Sequence, residues 1–234
     1  MAWNCRELYY PKLVSAIPFT PATGSKFLSK RQASEEQRDV IKTTSIAGLS
    51  SAHHVFIPPA EINFFTRQGF FIRNSFQYHW NNKNYADFDG FLNDLKGKRR
   101  REVIRERAQV TSQGLEIKLL TGDQLTSFHA EIMHHFYQST MDKKQGFEFL
   151  TAEFFRVVFE TIKDKILLVL AFHDDRPVAG ALNFIGSDTL FGRYWGCLAE
   201  YRALHFEVCY YQGIEFKNEL NCRASGGRAG SIPL

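Results

Sequence analysis

No stretch of this sequence approaches the ~18 consecutive apolar residues that a membrane-crossing helix requires. Met1 to Tyr10 carries charges where a secretory leader needs an apolar centre. These two features make the cytoplasm the expected location. Cysteine is scarce: Cys5, Cys197, Cys209 and Cys222 form no C-x-x-C pair, so free thiols in a reducing compartment are expected. His129, His134 and His135 do not reproduce a zinc spacing such as H-E-x-x-H, and a helical surface explains them without a metal. Thr20 to Lys26 holds a single glycine, too few for a phosphate loop.

What is abundant is phenylalanine. Its 22 copies, within 15% aromatic and 44% hydrophobic residues, argue for folded cores and against disorder. The 234 residues have room for one large domain or two small ones. A net charge of +4 suits anionic ligands but is too small to single out nucleic acid.

Upstream of Lys96, Tyr9 to Phe19 reads as extended, punctuated by prolines, and a polar helix is predicted from Glu35 to Ala47. A short strand at His53 to Ile57 precedes a helix begun by Pro58-Pro59. Phe70 to Trp80 alternates as a long strand, and Asp87 to Leu95 reads as a short helix. Downstream, Lys98 to Gln113 is a charged helix stopped by Gly114, and Leu115 to Leu120 is a strand. Asp123 is expected to cap one amphipathic helix and Thr151 the next. Ile166 to Phe172 is an apolar strand ended by a His173-Asp174-Asp175 turn. Val178 to Ile185 and Thr189 to Leu198 form a hairpin, and a last helix spans Ala203 to Leu220.

Residues 115–220 thus read strand, helix, helix, strand, strand, strand, helix. That is the order of the GNAT acyltransferase core. The expected fold is α/β of the α+β type, GNAT acyl-CoA N-acyltransferase-like. Such a core continues into one more strand, but Asn221 to Ser231 has neither alternation nor a β-branched residue. The second half is therefore expected to lack its closing strand, and 221–234 to be an aberrant, unstructured tail.

Several segments in order carry a more specific likeness. They are Tyr9 to Leu13, Ile17 to Pro21, Phe76 to Asn82, Asp87 to Leu92, Lys98 to Arg101 and Pro177 to Gly186. The densest are Phe191-Gly192-Arg193-Tyr194-Trp195-Gly196-Cys197, Leu204 to Glu207 and Cys209 to Gln212. Together they resemble a bacterial family of predicted N-acyltransferases, the FemAB-like members of the GNAT superfamily. The resemblance implies tandem GNAT-like halves, with 1–95 a remnant of the first and 96–220 the second. It also implies a chain shortened at both ends, since members have more sequence ahead of Tyr9 and a Gly-Glu-His-Lys motif after the last helix. The implied activity moves an acyl or aminoacyl group to an amine acceptor. The donor is left open between aminoacyl-tRNA and acyl-CoA, with tRNA admitted as a partner and the oligomeric state open.

Acyl transfer needs a polarised carbonyl, a deprotonated amine and in-line placement. On the strand Thr189 to Leu198, Arg193, Trp195 and Cys197 share one face and Tyr194 the other. Tyr194 is a candidate general acid, and Arg193 and Trp195 are substrate-binding candidates; core packing and surface pairing are the plainer alternatives. His205 and Cys209 lie four apart on one helical face, a base beside a thiol or a core histidine beside an inert cysteine. Cys197 is a second thiol candidate, and Glu207 a candidate base or else a solvent-facing charge. From the Phe76 to Asn82 segment, Gln77 and His79 join as substrate-binding candidates. Arg99, Arg100 and Arg101 form a candidate phosphate-binding face for the donor, or a solvated face paired with Glu102 and Glu106.

Two other classes stay open. An acyl-CoA-dependent acetyltransferase of small molecules is one, although Ala199 to Phe206 contains no glycine for the usual pyrophosphate turn. The other is a non-catalytic remnant that binds RNA or phosphate through the basic helix. Neither requires a tightly bound cofactor or a metal.

Overall fold

The computed structural model describes residues 10–18, 20–28, 39, 48–76, 79–223 and 231–233. The predicted polar helix at 35–47 falls almost wholly outside them. The chain divides into two compact units, 1–75 and 76–234.

In the first unit, β1 (Lys12–Ser15) pairs in parallel with β2 (Ser51–His54), and α1 spans Pro59–Arg67. Pro59 opens α1 where its missing N–H costs nothing. Phe64 and Phe65 of α1 are buried, and Phe27 packs on both at 5.3 and 5.8 Å between ring centres.

The second unit begins ahead of the expected division at 95/96. β3 (His79–Asn81) and α2 (Phe88–Asp94) belong to it. The reason is packing: Phe88, Phe91 and Leu92 share one core with Val103, Val110, Leu167 and Val169. The long strand predicted from Phe70 to Trp80 is reduced to β3, and Phe70 to Phe76 forms no strand. Phe71 is fully exposed and Phe76 81% exposed, so the alternation there has no buried face to serve.

α3 (Gly97–Ser112) leads into β4 (Leu115–Leu120), with Gly114 at φ +75° making the turn. A 3₁₀ turn (Gly122–Gln124) precedes α4 (Ser127–Lys143), and α5 (Ala152–Thr161) follows. Thr151 caps α5 as expected, accepting from the Phe154 N–H. Asp123 does not cap α4. It sits in the 3₁₀ turn and pairs with Lys163, while the Thr126 N–H donates to His129 Nδ1 at 3.0 Å at the true start of α4.

Strands β5 (Ile166–His173), β6 (Arg176–Ile185) and β7 (Leu190–Cys197) complete an antiparallel sheet in the order β4-β5-β6-β7. Asp174 and Asp175 both take positive φ in the two-residue β5–β6 turn, which matches the twist of the strands it joins. β5 is apolar from Ile166 to Phe172 because both faces of the sheet are covered there. Leu167, Val169 and Ala171 face α2, α3 and the last helix, whereas Ile166, Leu168 and Leu170 face α4 and α5.

The last helix runs as α6 (Leu204–Phe206), a π-helical stretch Glu207–Tyr211 and α7 (Gln212–Arg223). Residues 115–220 therefore follow the expected order. Among the described residues no fifth strand hydrogen-bonds to β7. The tail is nonetheless not without structure: helix continues to Arg223, and β8 (Ser231–Pro233) pairs antiparallel with β3.

Candidate functional site

β7 is the outer strand of the sheet, and three local features shape it. A bulge comes first: Leu182 lies opposite Tyr194 but Asn183 lies opposite Gly192, so Arg193 is the extra residue. Bulges bend a strand and re-aim its side chains. The second is Gly196, where an added Cβ would lie 1.8 Å from the Phe136 carbonyl oxygen, so α4 crosses β7 backbone to backbone. The third is how the strand's outer carbonyls are satisfied. Thr140 Oγ1 donates to Trp195 O at 2.7 Å, and Ser139 Oγ and Lys143 Nζ both donate to Cys197 O at 3.1 Å. At Trp195 and Cys197 the β7 edge is thus held by α4.

The chain leaves β7 through Leu198 to Arg202, and Ala203 enters α6 at φ 61°. The π stretch that follows widens the helix by one residue, a feature that often marks functional positions. His205, just ahead of it, borders three cavities. One, of about 170 Å³, is also lined by Arg193, Tyr194, Trp195, Cys209 and Tyr210. A second, of about 430 Å³, adds Cys197 and Tyr201. The third is a groove of about 850 Å³ beside α3, with Arg105, Gln109, Tyr201, Arg202 and Phe206 in its walls.

Five sequence candidates, Arg193, Tyr194, Trp195, His205 and Cys209, therefore line one cavity although they come from β7 and the last helix. The His205 ring stands edge-on to Trp195 at 5.3 Å and to Tyr210 at 5.5 Å. Burial lowers its pKa from the usual imidazole value, and the Lys144 charge lowers it further. Tyr194 packs against Tyr137 at 5.6 Å and Phe155 at 6.3 Å. Burial raises its pKa, against a smaller opposing pull from Arg193, whose guanidinium lies 5.6 Å from the ring. The two groups are shifted in opposite directions, one toward a neutral imidazole and the other toward a protonated phenol.

Glu207 is corrected on both readings. It is neither solvent-facing nor at the cavity but buried at 4% exposure. Arg107 Nε donates to both of its carboxylate oxygens at 3.2 Å, and Gln212 Nε2 donates to Oε1 at 2.6 Å. Arg107 also reaches Glu215 at 2.8 Å and lies 4.5 Å from the Phe88 ring centre. The network ties α3 to the π stretch. Both carboxylate oxygens are taken up inside this network and do not turn toward the His205 cavities.

Cys209 lies beside His205, and burial pushes its thiol up, away from the thiolate a nucleophile needs. Cys197 has Lys143 Nζ 3.4 Å from its sulfur. His79 is exposed on β3 and lines none of the three cavities, while Gln77 lies outside the described residues.

The arginine run does not act as one face. Arg99 pairs with Glu102 at 2.8 Å, Arg100 donates to Asn93 at 3.0 Å, and Arg101 is exposed. Successive helical positions point about 100° apart, so three in a row cannot converge. The arginines in the groove are Arg105 and Arg202. Arg202, Tyr201 and Phe206 escaped the sequence reading. The signal available was position alone: a polar and aromatic loop closing directly onto His205. Among the described residues, no three His, Cys, Asp or Glu side chains gather as metal ligands, and no helix is long and apolar enough to cross a membrane.

The family model FemAB_like, described as peptidoglycan biosynthesis/recognition, matches residues 2–230. No functionally curated protein matches. Among solved structures, the C-terminal domain (DUF2156) of a candidate lysylphosphatidylglycerol synthetase from Agrobacterium fabrum aligns over 86% of this chain and 59% of its own, at 11% identity and TM-score 0.56. L-PGS from Bacillus licheniformis aligns over 84% of this chain and 55% of its own, at 9% identity and TM-score 0.53. A GCN5-related N-acetyltransferase from Kribbella flavida aligns over 86% of this chain and 65% of its own, at 9% identity and TM-score 0.42. The chain thus spans less than two thirds of the length of each of these structures.

Proposed function

The chain belongs to the FemAB-like family of peptidoglycan biosynthesis/recognition, and from that premise we propose that it transfers an aminoacyl group from an aminoacyl-tRNA to an amine of a peptidoglycan precursor. The observation that carries the reading is the joint presence of His205 and Tyr194 at one cavity, with pKa shifts in opposite directions.

Burial keeps the His205 imidazole neutral at neutral pH, so it can take a proton from the acceptor's ammonium. The freed amine attacks the ester carbonyl of the donor, forming the new C–N bond and a tetrahedral intermediate. Collapse of that intermediate breaks the ester C–O bond. The leaving ribose oxygen takes a proton from the Tyr194 phenol, which burial keeps protonated. The second amine proton and the His205 proton return through solvent to Tyr194 and the medium. The step consumes an ester and an amine and yields an amide and an alcohol.

The small cavity has room for the reacting atoms, and the adjoining groove for the donor's end. Arg105 and Arg202 suit its phosphates, and Tyr201 and Phe206 offer faces on which a base can stack. An acyl-CoA donor fits less well. Ala199 to Phe206 has no glycine-lined turn for a pyrophosphate. The outer carbonyls of Trp195 and Cys197, where an amide-bearing arm would lie along β7, already accept from α4.

The test is transfer of a labelled amino acid from charged tRNA to a precursor pentapeptide by the protein and by His205→Gln and Tyr194→Phe. Transfer by the parent, reduced in both variants, supports the reading. Acetylation of the same amine from acetyl-CoA with no transfer from tRNA would replace the donor assignment.

A further inference from the structure

Asparagine is disfavoured inside a strand, and a buried amide costs free energy unless its polar atoms find partners. Asn183 nevertheless sits in β6, between β5 and β7, and is only 3% exposed. Its neighbours on that face of the strand, Ala179 and Ala181, belong to the apolar core. One half of the amide is accounted for. Asn183 Nδ2 donates to Leu167 O at 3.2 Å and, more weakly, to Ala181 O at 3.4 Å. Both partners are carbonyl oxygens, which only accept, so the NH₂ group must face them and Oδ1 must face the other way.

On that other side stands Gly192. The bulge in β7 makes Gly192, and not Arg193, the residue opposite Asn183. A Cβ added to Gly192 would lie 3.4 Å from Asn183 Oδ1, and beyond its chain neighbours no other described atom comes within 4 Å of that position. A larger residue here would cover the oxygen, whereas glycine leaves it open. Among the described residues no donor reaches Oδ1. Asn183 and Gly192 both line the cavity of about 170 Å³ that His205 borders, so the open oxygen and the imidazole share one small space. In that space Arg193 can only donate, while a neutral imidazole nitrogen and the amide oxygen accept. A primary amine, with several N–H donors on one atom, meets both acceptors at once; a hydroxyl, with one, cannot.

We propose that Asn183 is an amine-binding and specificity residue, its Oδ1 accepting one N–H of the acceptor's amine while His205 takes another, so that the site selects a primary amine. On the transfer reading, on which this role rests, His205 removes one proton. The N–H held at Asn183 then fixes the nitrogen and leaves its lone pair free to point at the donor carbonyl. A neutral amide suits this task better than a carboxylate, because it orients the amine without stabilising its charged, non-nucleophilic form.

The experiment is equilibrium binding of a precursor pentapeptide with a free side-chain amine, compared with the same peptide N,N-dimethylated at that amine. The proteins are the parent, Asn183→Ala and Gly192→Ala. Dimethylation keeps the positive charge but leaves a single N–H, enough for His205 and none for Asn183. The parent should bind the free-amine peptide on the order of tenfold more tightly than the methylated one. Asn183→Ala should lose most of that preference. It also gives up the bond to Leu167 O and should melt at a lower temperature. Gly192→Ala covers Oδ1 with a methyl group and leaves that bond in place, so it should lose the preference at the parent's thermal midpoint. Binding is read without tRNA. A parent that shows the preference but transfers nothing from charged tRNA therefore refutes the enzymatic reading alone. Equal affinity of the parent for the two peptides, no binding of the free-amine peptide, or a preference that survives in either variant overturns the proposal.

Discussion

Removing the Glu207 carboxylate tests whether that residue is structural or chemical. In Glu207→Ala, Arg107 loses the carboxylate that accepts from its Nε, and Gln212 loses an acceptor. Breaking a fully buried pair by deleting one partner costs about 3–5 kcal/mol. The value here should be smaller, because the Arg107 side chain is 28% exposed and keeps Glu215 and Phe88. About 2–3 kcal/mol is a reasonable figure once that solvent access and the remaining partners are allowed for. In a domain of this size that lowers the thermal midpoint by about 4–12 °C. Urea melts and thermal melts followed by circular dichroism read it directly. Glu207→Gln keeps the shape and one acceptor and should lose less. Both variants should retain transfer wherever they are folded, since the carboxylate does not border the His205 cavity. A Glu207→Ala protein with parental stability and no transfer would refute the assignment and return Glu207 to the chemistry.

Further outcomes follow from the same geometry. Gly196→Ala forces a Cβ into the Phe136 backbone, which cannot yield as a side chain can, and should abolish the cooperative melt. Tyr194→Phe should lower the turnover rate by about 10²–10⁴-fold with little change in KM, as expected for a proton donor; an unchanged rate would show that the phenol only packs. The lowered pKa of His205 sets two pH dependences. The unfolded state binds its proton more readily, so stability is intact above the unfolded value of ~6.5 and declines as pH falls from there toward the folded pKa. Transfer should accordingly have its acid limb below ~6.5, and a limb at or above neutrality would contradict a buried neutral base. His129, also lowered by burial, adds to the acid loss of stability with the same sign but not to the rate limb; His129→Gln separates them.

Much of the fold was legible because the second unit obeys simple periodicities. β5 reads as an unbroken apolar run because it is covered on both faces, Thr151 caps α5, and the Asp174-Asp175 turn closes its hairpin. Phe70 to Trp80 misled because alternation signals a strand only where one face is buried, and Phe71 and Phe76 are exposed. The division between units was set too late because Phe88, Phe91 and Leu92 find their core across α3 and β5, a long-range packing that local composition does not reveal. The site was legible in part. Strand alternation and helical spacing singled out Tyr194 and His205 as candidates, but not that both line one cavity, which local spacing on two separate elements does not reveal. Glu207 was misread because its partner, Arg107, comes from another helix. The arginine run drew attention as a block of charge, whereas the groove takes only Arg105 from that helix and Arg202 from a loop.

The central claim is that His205 serves an aminoacyl transfer from tRNA to an amine. The most direct measurement follows a radiolabelled amino acid from charged tRNA to a precursor pentapeptide, with the parent and His205→Gln compared at equal folded concentration. The account predicts label on the peptide amine with the parent and a loss of about 10²-fold or more in the variant. Equal transfer by the two proteins, or label that stays on the tRNA with the parent, would contradict it.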